Sequence, residues 1–415
     1  MRPRRLLAST LSAGLAIPFL GYLSRRVRRR QLARRFVDLA DDVPVEVLLE
    51  REVGVPVRDG NQVDLIENGA IFDALDAEIR AARESIHICE FMWRGKGQPS
   101  ERIGKAILAR RPGVTCRIVI DWFGSDQFDP ELGRALRASG CELRRHRPLP
   151  DPFRLNHRRV FVFDGRTAYV GGFGIWKSWL GDGVGEGEWR DTAARVRGPA
   201  AGDLQRAFDD SLQRAGGAPL PGSAYPRLRT AGDHQVAVVA STPAWARTTL
   251  AARMWYALLA SARRRLYVAN SYFVPERSLQ HVLISRARAG VDVRVLAPGP
   301  HHDVAIVLAG QRRTYERLLR GGVRIFEYAA SMMHAKTCVA DDVAVIGSTN
   351  MDSESLSFLW ETSVVTDAPD VARRLAERFA IDLSRSNEIH LEEWRRRPWR
   401  MRLGQAAAGL AEPWL

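Results

Sequence analysis

Side chains able to do chemistry concentrate in Met333-His334-Ala335-Lys336-Thr337-Cys338-Val339-Ala340-Asp341, followed closely by Gly347-Ser348-Thr349-Asn350. If the apolar middle runs as a β-strand, alternate side chains share a face, so His334 and Lys336 point the same way. A nucleophile or proton carrier then stands beside a fixed cation. Asp341 lies an odd number of residues from His334, on the opposite face or in the Asp341-Asp342 turn, which gives it a shaping role and not a proton-transfer role. Residues 343–347 read as a second strand returning alongside, bringing the polar groups of Ser348 and Asn350 with it. Alone, a His-x-Lys pair also fits a satisfied core histidine.

A second copy changes that reading. Asn156-His157-Arg158-Arg159 opens a run with the same His, cation and Asp offsets, ending in the turn pair Asp164-Gly165 before the apolar residues 168–172. The likeness extends upstream: residues 78–93 align with 258–274, 110–120 with 287–296, and 136–147 with 319–328, all at nearly the offset of the two histidines. The chain is an internal duplication. Helical and strand patterns alternate through each copy, as in an α/β sheet with helices packed on its faces.

On these motifs the chain resembles the phospholipase D superfamily and, within it, the bacterial cardiolipin synthases. The resemblance rests on the paired His-x-Lys/Arg-x4-Asp motifs at His157 and His334, on Gly347-Ser348-x-Asn350, on 270–275 (NSYFVP), on Asp121-x-x-Gly124-Ser125 and on Trp189-Arg190-Asp191-Thr192. It implies two pseudo-symmetric α/β repeats, mixed sheets flanked by helices, that form one active site. It also implies a catalytic set of His157, Arg159, Asp164, His334, Lys336 and Asp341, with Ser348 and Asn350 on the phosphate. Asp191 and Glu361, downstream of the two motifs, are implied as the carboxylates that orient the imidazoles, and His157 as the nucleophile. The first motif departs from the family, with Arg159 for the usual lysine and Gly174 for an expected asparagine. In the second half Glu354 and Leu359 stand where relatives often have Arg and Asn.

The chemistry follows from what a phosphodiester demands. Its charge repels nucleophiles and its alkoxide leaving group needs a proton. One neutral imidazole attacks phosphorus to give a phosphohistidine while the other protonates the departing oxygen, so neither a metal nor another cofactor is required. The resemblance implies transfer of a phosphatidyl group to phosphatidylglycerol, giving cardiolipin. A hydrolytic phospholipase D, a nuclease of the same superfamily and a catalytically silent membrane scaffold are the rival readings.

Charge placement bears on the nuclease. Of the net charge of +14, ten arginines lie within residues 1–35, which hold no acid, leaving +4 for the other 380 residues. A nearly neutral repeat disfavours nucleic acid. Between the arginines runs an uncharged, mostly apolar stretch, 6–23, about 27 Å long if helical and just enough for a bilayer core. It is a membrane element or a signal sequence, and its exit into dense arginines favours an uncleaved anchor in the cell (inner) membrane with the catalytic part on the cytoplasmic side. Expected partners are therefore the membrane surface and anionic phospholipids, phosphatidylglycerol and cardiolipin. One chain carries both motifs, so no oligomer is required for the site.

The expected division is 1–43 as basic anchor and linker, 44–215 as first half, 216–235 as linker, and 236–415 as second half with a basic tail. The segment 176–190 reads as a loop near the site. The sequence His301-His302-Asp303 looks metal-like but reads better as a loop cap. Trp394 to Arg402 suits either a headgroup layer or a capping helix. Cys89, Cys116, Cys141 and Cys338 lack Cys-x-x-Cys spacing and read as buried free thiols.

Overall fold

A computed structural model of the protein describes residues 24–39, 43–147, 154–244 and 247–399. The apolar stretch 6–23, Arg400 and Arg402 lie outside the described residues. Among those described, no helix is long and apolar enough to cross a membrane.

The first half contributes strands β1 (Val57–Glu67), β2 (Ser85–Glu90), β3 (Thr115–Asp121), β4 (Glu142–His146), β5 (Val160–Phe163), β6 (Thr167–Gly171), β7 (Trp189–Arg190) and β8 (Thr192–Arg197). The second contributes β9 (His234–Ser241), β10 (Arg265–Asn270), β11 (Asp292–Pro298), β12 (Arg324–Tyr328), β13 (Met332–Met333), β14 (Lys336–Ala340), β15 (Val343–Gly347), β16 (Glu361–Thr366) and β17 (Ser386–Ile389). Fifteen of them form one sheet in the order β17-β12-β11-β10-β14-β15-β16-β9-β1-β8-β6-β5-β2-β3-β4. Read outward from the centre, β1-β8-β6-β5-β2-β3-β4 and β9-β16-β15-β14-β10-β11-β12 are the same pattern. Each half has a parallel trio (β2, β3, β4; β10, β11, β12) joined to an antiparallel set. The helices Ser100–Leu108 and Pro130–Ala138 supply the crossovers that parallel neighbours need. The second of these is started by Asp129, whose side chain accepts the Glu131 amide, with Pro130 in the first turn.

The expectation of separate sheets is corrected at the centre. β1 and β9 pair antiparallel, Val57 with Ala237 and Asn61 with His234, fusing the halves. Residues 45–62 read in the sequence as an irregular or strand-containing lead-in, and the first part of β1, residues 57–62, lies there. Its sequence VRDGNQVDLIE lacks apolar alternation because both its neighbours in the sheet supply what its side chains do not. Pairing two edge strands also removes two exposed edges.

Helix Pro199–Arg214 from the first half and helix Pro369–Leu383 from the second lie over one face and share a core. Leu204, Phe208, Val371 and Leu375 pack there with strand residues of both halves, including Val162, Val170, Val339 and Ile346. Arg158, fully buried, reaches from β5's approach to Ala207 O at 2.9 Å, Asp210 at 2.8 Å and Ser241 O at 3.0 Å, so it braces the helix to β9. Strand alternation puts this structural arginine on the face opposite His157 and Arg159.

Three expectations change. Cys116 and Cys141, brought together by the parallel β3 and β4 with Cα atoms 4.7 Å apart, form a disulfide; Cys89 and Cys338 are buried free thiols as expected. Residues 24–39 form a helix docked on the body, where the sequence suggested anchor and linker. Ala33 and Phe36 sit in the core and Arg29 bonds Leu356 O at 2.8 Å and Ser357 Oγ at 2.7 Å. The described tail caps helix Ala305–Arg320: Trp394 packs on Tyr315 at 5.2 Å, and Arg395 and Arg397 approach Glu316.

Candidate active site

Both histidines precede a strand that ends beside the centre of the molecule, and each is held by the opposite half. Asp121 accepts the Asn156 amide at 2.9 Å and the Phe123 and Gly124 amides, setting the approach to His157. The Trp360 amide bonds Leu155 O at 3.1 Å, and the His334 amide bonds Arg190 O at 2.7 Å. β7 and β13 pair parallel across the same junction.

The imidazoles are oriented crosswise. His157 Nδ1 lies 2.9 Å from Glu361 Oε1, and His334 Nδ1 lies 2.8 Å from Asp191 Oδ2. All four side chains are buried. Asp191 is itself fixed by the Trp179 indole N–H at 2.9 Å and the Thr192 amide at 2.9 Å. Glu361 accepts a short bond from the Ser348 hydroxyl, which in turn accepts the Thr362 amide at 3.0 Å. Engaging Nδ1 leaves Nε2 of each ring to react.

Two cations face the rings. Lys336 Nζ sits 3.0 Å from His334 Nε2 and 2.6 Å from His334 O; Arg159 Nη1 sits 3.1 Å from His157 Nε2. Burial, then the charges of Arg159, Lys336 and His334, hold His157 well below the usual imidazole range. Burial followed by Lys336 and Arg159 does the same to His334. Burial pulls the Lys336 ammonium down to about 7, with Asp191 opposing. Burial also pushes the Asp191 and Glu361 carboxyls up. Burial and the neighbouring cations thus favour neutral imidazoles.

The halves solve one problem in two ways. Gly171-Gly172-Phe173-Gly174 occupies the place of Gly347-Ser348-Thr349-Asn350. A Cβ on Gly172 would meet both Asp191 oxygens at 2.7 Å and His334 O at 3.0 Å, so the shorter carboxylate fills the space that the serine hydroxyl fills beside Glu361. A Cβ on Gly174 would meet Met92 O at 2.8 Å and the Trp179 ring at 3.0 Å, which explains the missing asparagine.

Other expected residues divide. Asn350 is buried, its Oδ1 accepting from Ser271 at 2.8 Å. Ser348, expected on the phosphate, is instead engaged by Glu361 and Thr362. Asp164 and Asp341 do not join the site. Each adopts a left-handed backbone and accepts three consecutive amides: Arg83, Glu84 and Ser85 for Asp164, and Arg263, Arg264 and Arg265 for Asp341. They pin the turn to the start of β2 and β10, the shaping role expected of Asp341.

With that geometry, the description "Cardiolipin synthase, PLD-like domain" matches the chain twice, over residues 75–182 and 256–383, one motif histidine in each match. The chain belongs to this family. A cardiolipin synthase from Geobacillus kaustophilus is 30% identical over 374 residues, 87% of this chain and 74% of that protein. Cardiolipin synthase A from Proteus mirabilis is 28% identical, covering 89% and 79%. Among solved structures, phosphatidylserine synthase from Haemophilus influenzae shares the fold with a TM-score of 0.68 at 13% identity, over 89% of this chain and all of that one.

Some residues around the histidines, Trp179 and Glu90 among them, lie outside the motifs that carried the resemblance, whereas Trp189 and Tyr272 lie within them. Trp189 stacks on His334 at 4.8 Å and Trp179 meets it edge-on at 5.1 Å, so the segment 176–190 is a wall of the site. Its turns are held by Glu188, which accepts the Gly183, Val184 and Gly185 amides. Tyr272, 6.5 Å from the His334 ring, donates to Asp303 at 2.8 Å, while His302 Nδ1 accepts the Val304 amide as a loop cap does. Glu90 stands where the second half has Asn270; it is buried 3.8 Å from Arg159 Nε, and burial pushes its carboxyl up to about 8. The alignment of the two copies would have drawn attention to Glu90, because a carboxylate opposite an amide is the sharpest difference between them.

Proposed function

We propose that the protein is a phosphatidyltransferase of the cardiolipin synthase type, working through a phosphohistidine on His157. The observation that carries this reading is the pair of Nδ1-anchored imidazoles, each beside a cation, one from each half of a duplicated chain of this family. In the first step His157 Nε2 forms a bond to phosphorus as the bond to the donor's alcohol oxygen breaks, and His334 gives that oxygen its proton. In the second, His334 takes the proton of the glycerol hydroxyl of phosphatidylglycerol, whose oxygen attacks phosphorus and expels His157. Lys336 and Arg159 hold the non-bridging oxygens. Asn350, its carbonyl held by Ser271, offers its amide N–H to the developing charge. The donor N–H that Arg159 turns toward His157 in the empty site passes to phosphate, freeing the nucleophile.

Incubating the purified protein with phosphatidylglycerol, with and without phosphatidylethanolamine, tests this by mass spectrometry of the lipids. Cardiolipin is expected; phosphatidic acid alone would make the protein a hydrolase and sink the transferase reading.

A second expectation concerns pH. Lys336 carries its charge below about 7 and loses it above. The free enzyme's kcat/KM should therefore fall as pH rises through that value. Lys336→Arg should move that limb upward, since a guanidinium stays charged. An unmoved limb would remove Lys336 from the clamp.

Membrane association fits the family's lipid chemistry, and the arginine cluster supports a cytoplasmic catalytic part. The Cys116–Cys141 bond favours the opposite, oxidising side. Denatured but unreduced protein from cells should show four alkylatable thiols on the cytoplasmic reading and two on the other.

A further inference from the structure

A cavity of about 900 Å³ lies between helix 24–39 and helix Arg277–Arg288, away from the histidine pair. Arg26, Arg30 and Arg34 line one wall, and Arg277, His281 and Arg317 the other. The acid in it, Glu276, is already engaged, by Arg29 at 3.0 Å, the Tyr256 hydroxyl at 2.6 Å and Ser278 at 2.9 Å. The lining is therefore strongly positive, with three guanidiniums placed one helical turn apart along helix 24–39.

The walls are rigid. Arg29, 4% exposed, ties the helix to the body through Glu276, Leu356 and Ser357, so the basic stripe is held at a fixed distance from the opposite wall. Val27 and Val274 add an apolar edge to the cavity, and Val27 is 58% exposed. The volume falls within the range of small-molecule sites, roughly 300–1,000 Å³. Helix 24–39 lies outside both family matches, so the cavity reaches beyond the duplicated catalytic unit. It does share walls with that unit. Val274 follows Ser271, the partner of Asn350, and Ser353 belongs to the loop after Asn350.

We propose that this groove is a second lipid site, which holds the phosphodiester headgroup of an anionic phospholipid while the acyl chains leave past Val27. It rests on the reading of the protein as an enzyme of phospholipids. If the apolar stretch 6–23 is the membrane anchor expected from the sequence, the groove lies at the membrane surface, where such headgroups are concentrated.

The test uses the full chain carrying His334→Ala, in neutral detergent, so that binding is read without turnover and survives failure of the transferase reading. Native mass spectrometry would count phosphatidylglycerol retained by this protein. The count would be repeated after Arg30→Gln, Arg34→Gln and Arg277→Gln together, and after equal charge removal at the exposed Arg80, Arg134 and Arg373. The groove substitutions should weaken the tightest binding by roughly tenfold or more and the control substitutions should not. Lysine at the same three groove positions, which keeps the charge, should restore most of it and exclude misfolding as the cause. Equal retention by the groove and control variants would overturn the proposal. So would equal retention of phosphatidylcholine, or binding of free glycerol 3-phosphate as tight as that of the lipid, which would mark a soluble-anion site.

Discussion

Cardiolipin formation is expected to fall by roughly 1,000-fold or more in His157→Ala and in His334→Ala, the combined weight of losing a nucleophile or a general acid–base at a buried site. The two losses differ in kind. A donor with an activated leaving group, such as a nitrophenyl phosphodiester, does not need a protonated departure. His334→Ala should still form the phosphoenzyme from that donor and then accumulate it, because no base remains to activate the acceptor. His157→Ala should form none. The opposite pattern would assign the nucleophile to His334, and phosphoenzyme in neither would refute the covalent route. The distinction is worth drawing here because the first motif carries Arg159 and Glu90 where the second carries Lys336 and Asn270.

Removing an orienting carboxylate should cost roughly 100- to 10,000-fold in kcat, because the imidazole loses the group that fixes its tautomer. The crossed arrangement makes the pattern specific. Glu361 belongs to the second half but holds His157, so Glu361→Gln should slow phosphoenzyme formation even from the activated donor. Asp191 belongs to the first half but holds His334. Asp191→Asn should leave that formation largely intact and block transfer to the alcohol. Gly172→Ala should mimic Asp191→Asn, since the added methyl would lie 2.7 Å from both carboxylate oxygens. If Asp191→Asn instead slowed phosphoenzyme formation and Glu361→Gln did not, the assignment of carboxylate to histidine would be wrong.

Much of the architecture was legible because duplication turns weak local signals into strong ones. The helix–strand order around β2, β3 and β4 repeats around β10, β11 and β12, and strands buried on both faces, such as VFVF at Val160–Phe163, read as apolar runs. β1 was only partly legible. Its residues are polar and its place is decided by two antiparallel partners far away in sequence, β8 and β9. The helix 24–39 escaped for a related reason. An arginine-rich helix looks like a membrane-facing segment until Arg29 is found buried and answered by Glu276.

The sequence by itself picked out the proposed reacting groups: two histidines, each two residues before a cation at the approach to a strand, where an extended backbone turns both side chains the same way. It also determined that there are two such units, and hence one pseudo-symmetric site. Only the tertiary structure decided which carboxylate serves which histidine, that Ser348 supports Glu361, that Asp164 takes the same turn-shaping role as Asp341, and that Glu90 and the indoles of Trp179 and Trp189 line the site. Those are contacts between the two halves or between distant loops. Local spacing reports on neighbours along a strand or helix, whereas a buried hydrogen bond across 143 or 204 residues is set by how the halves meet.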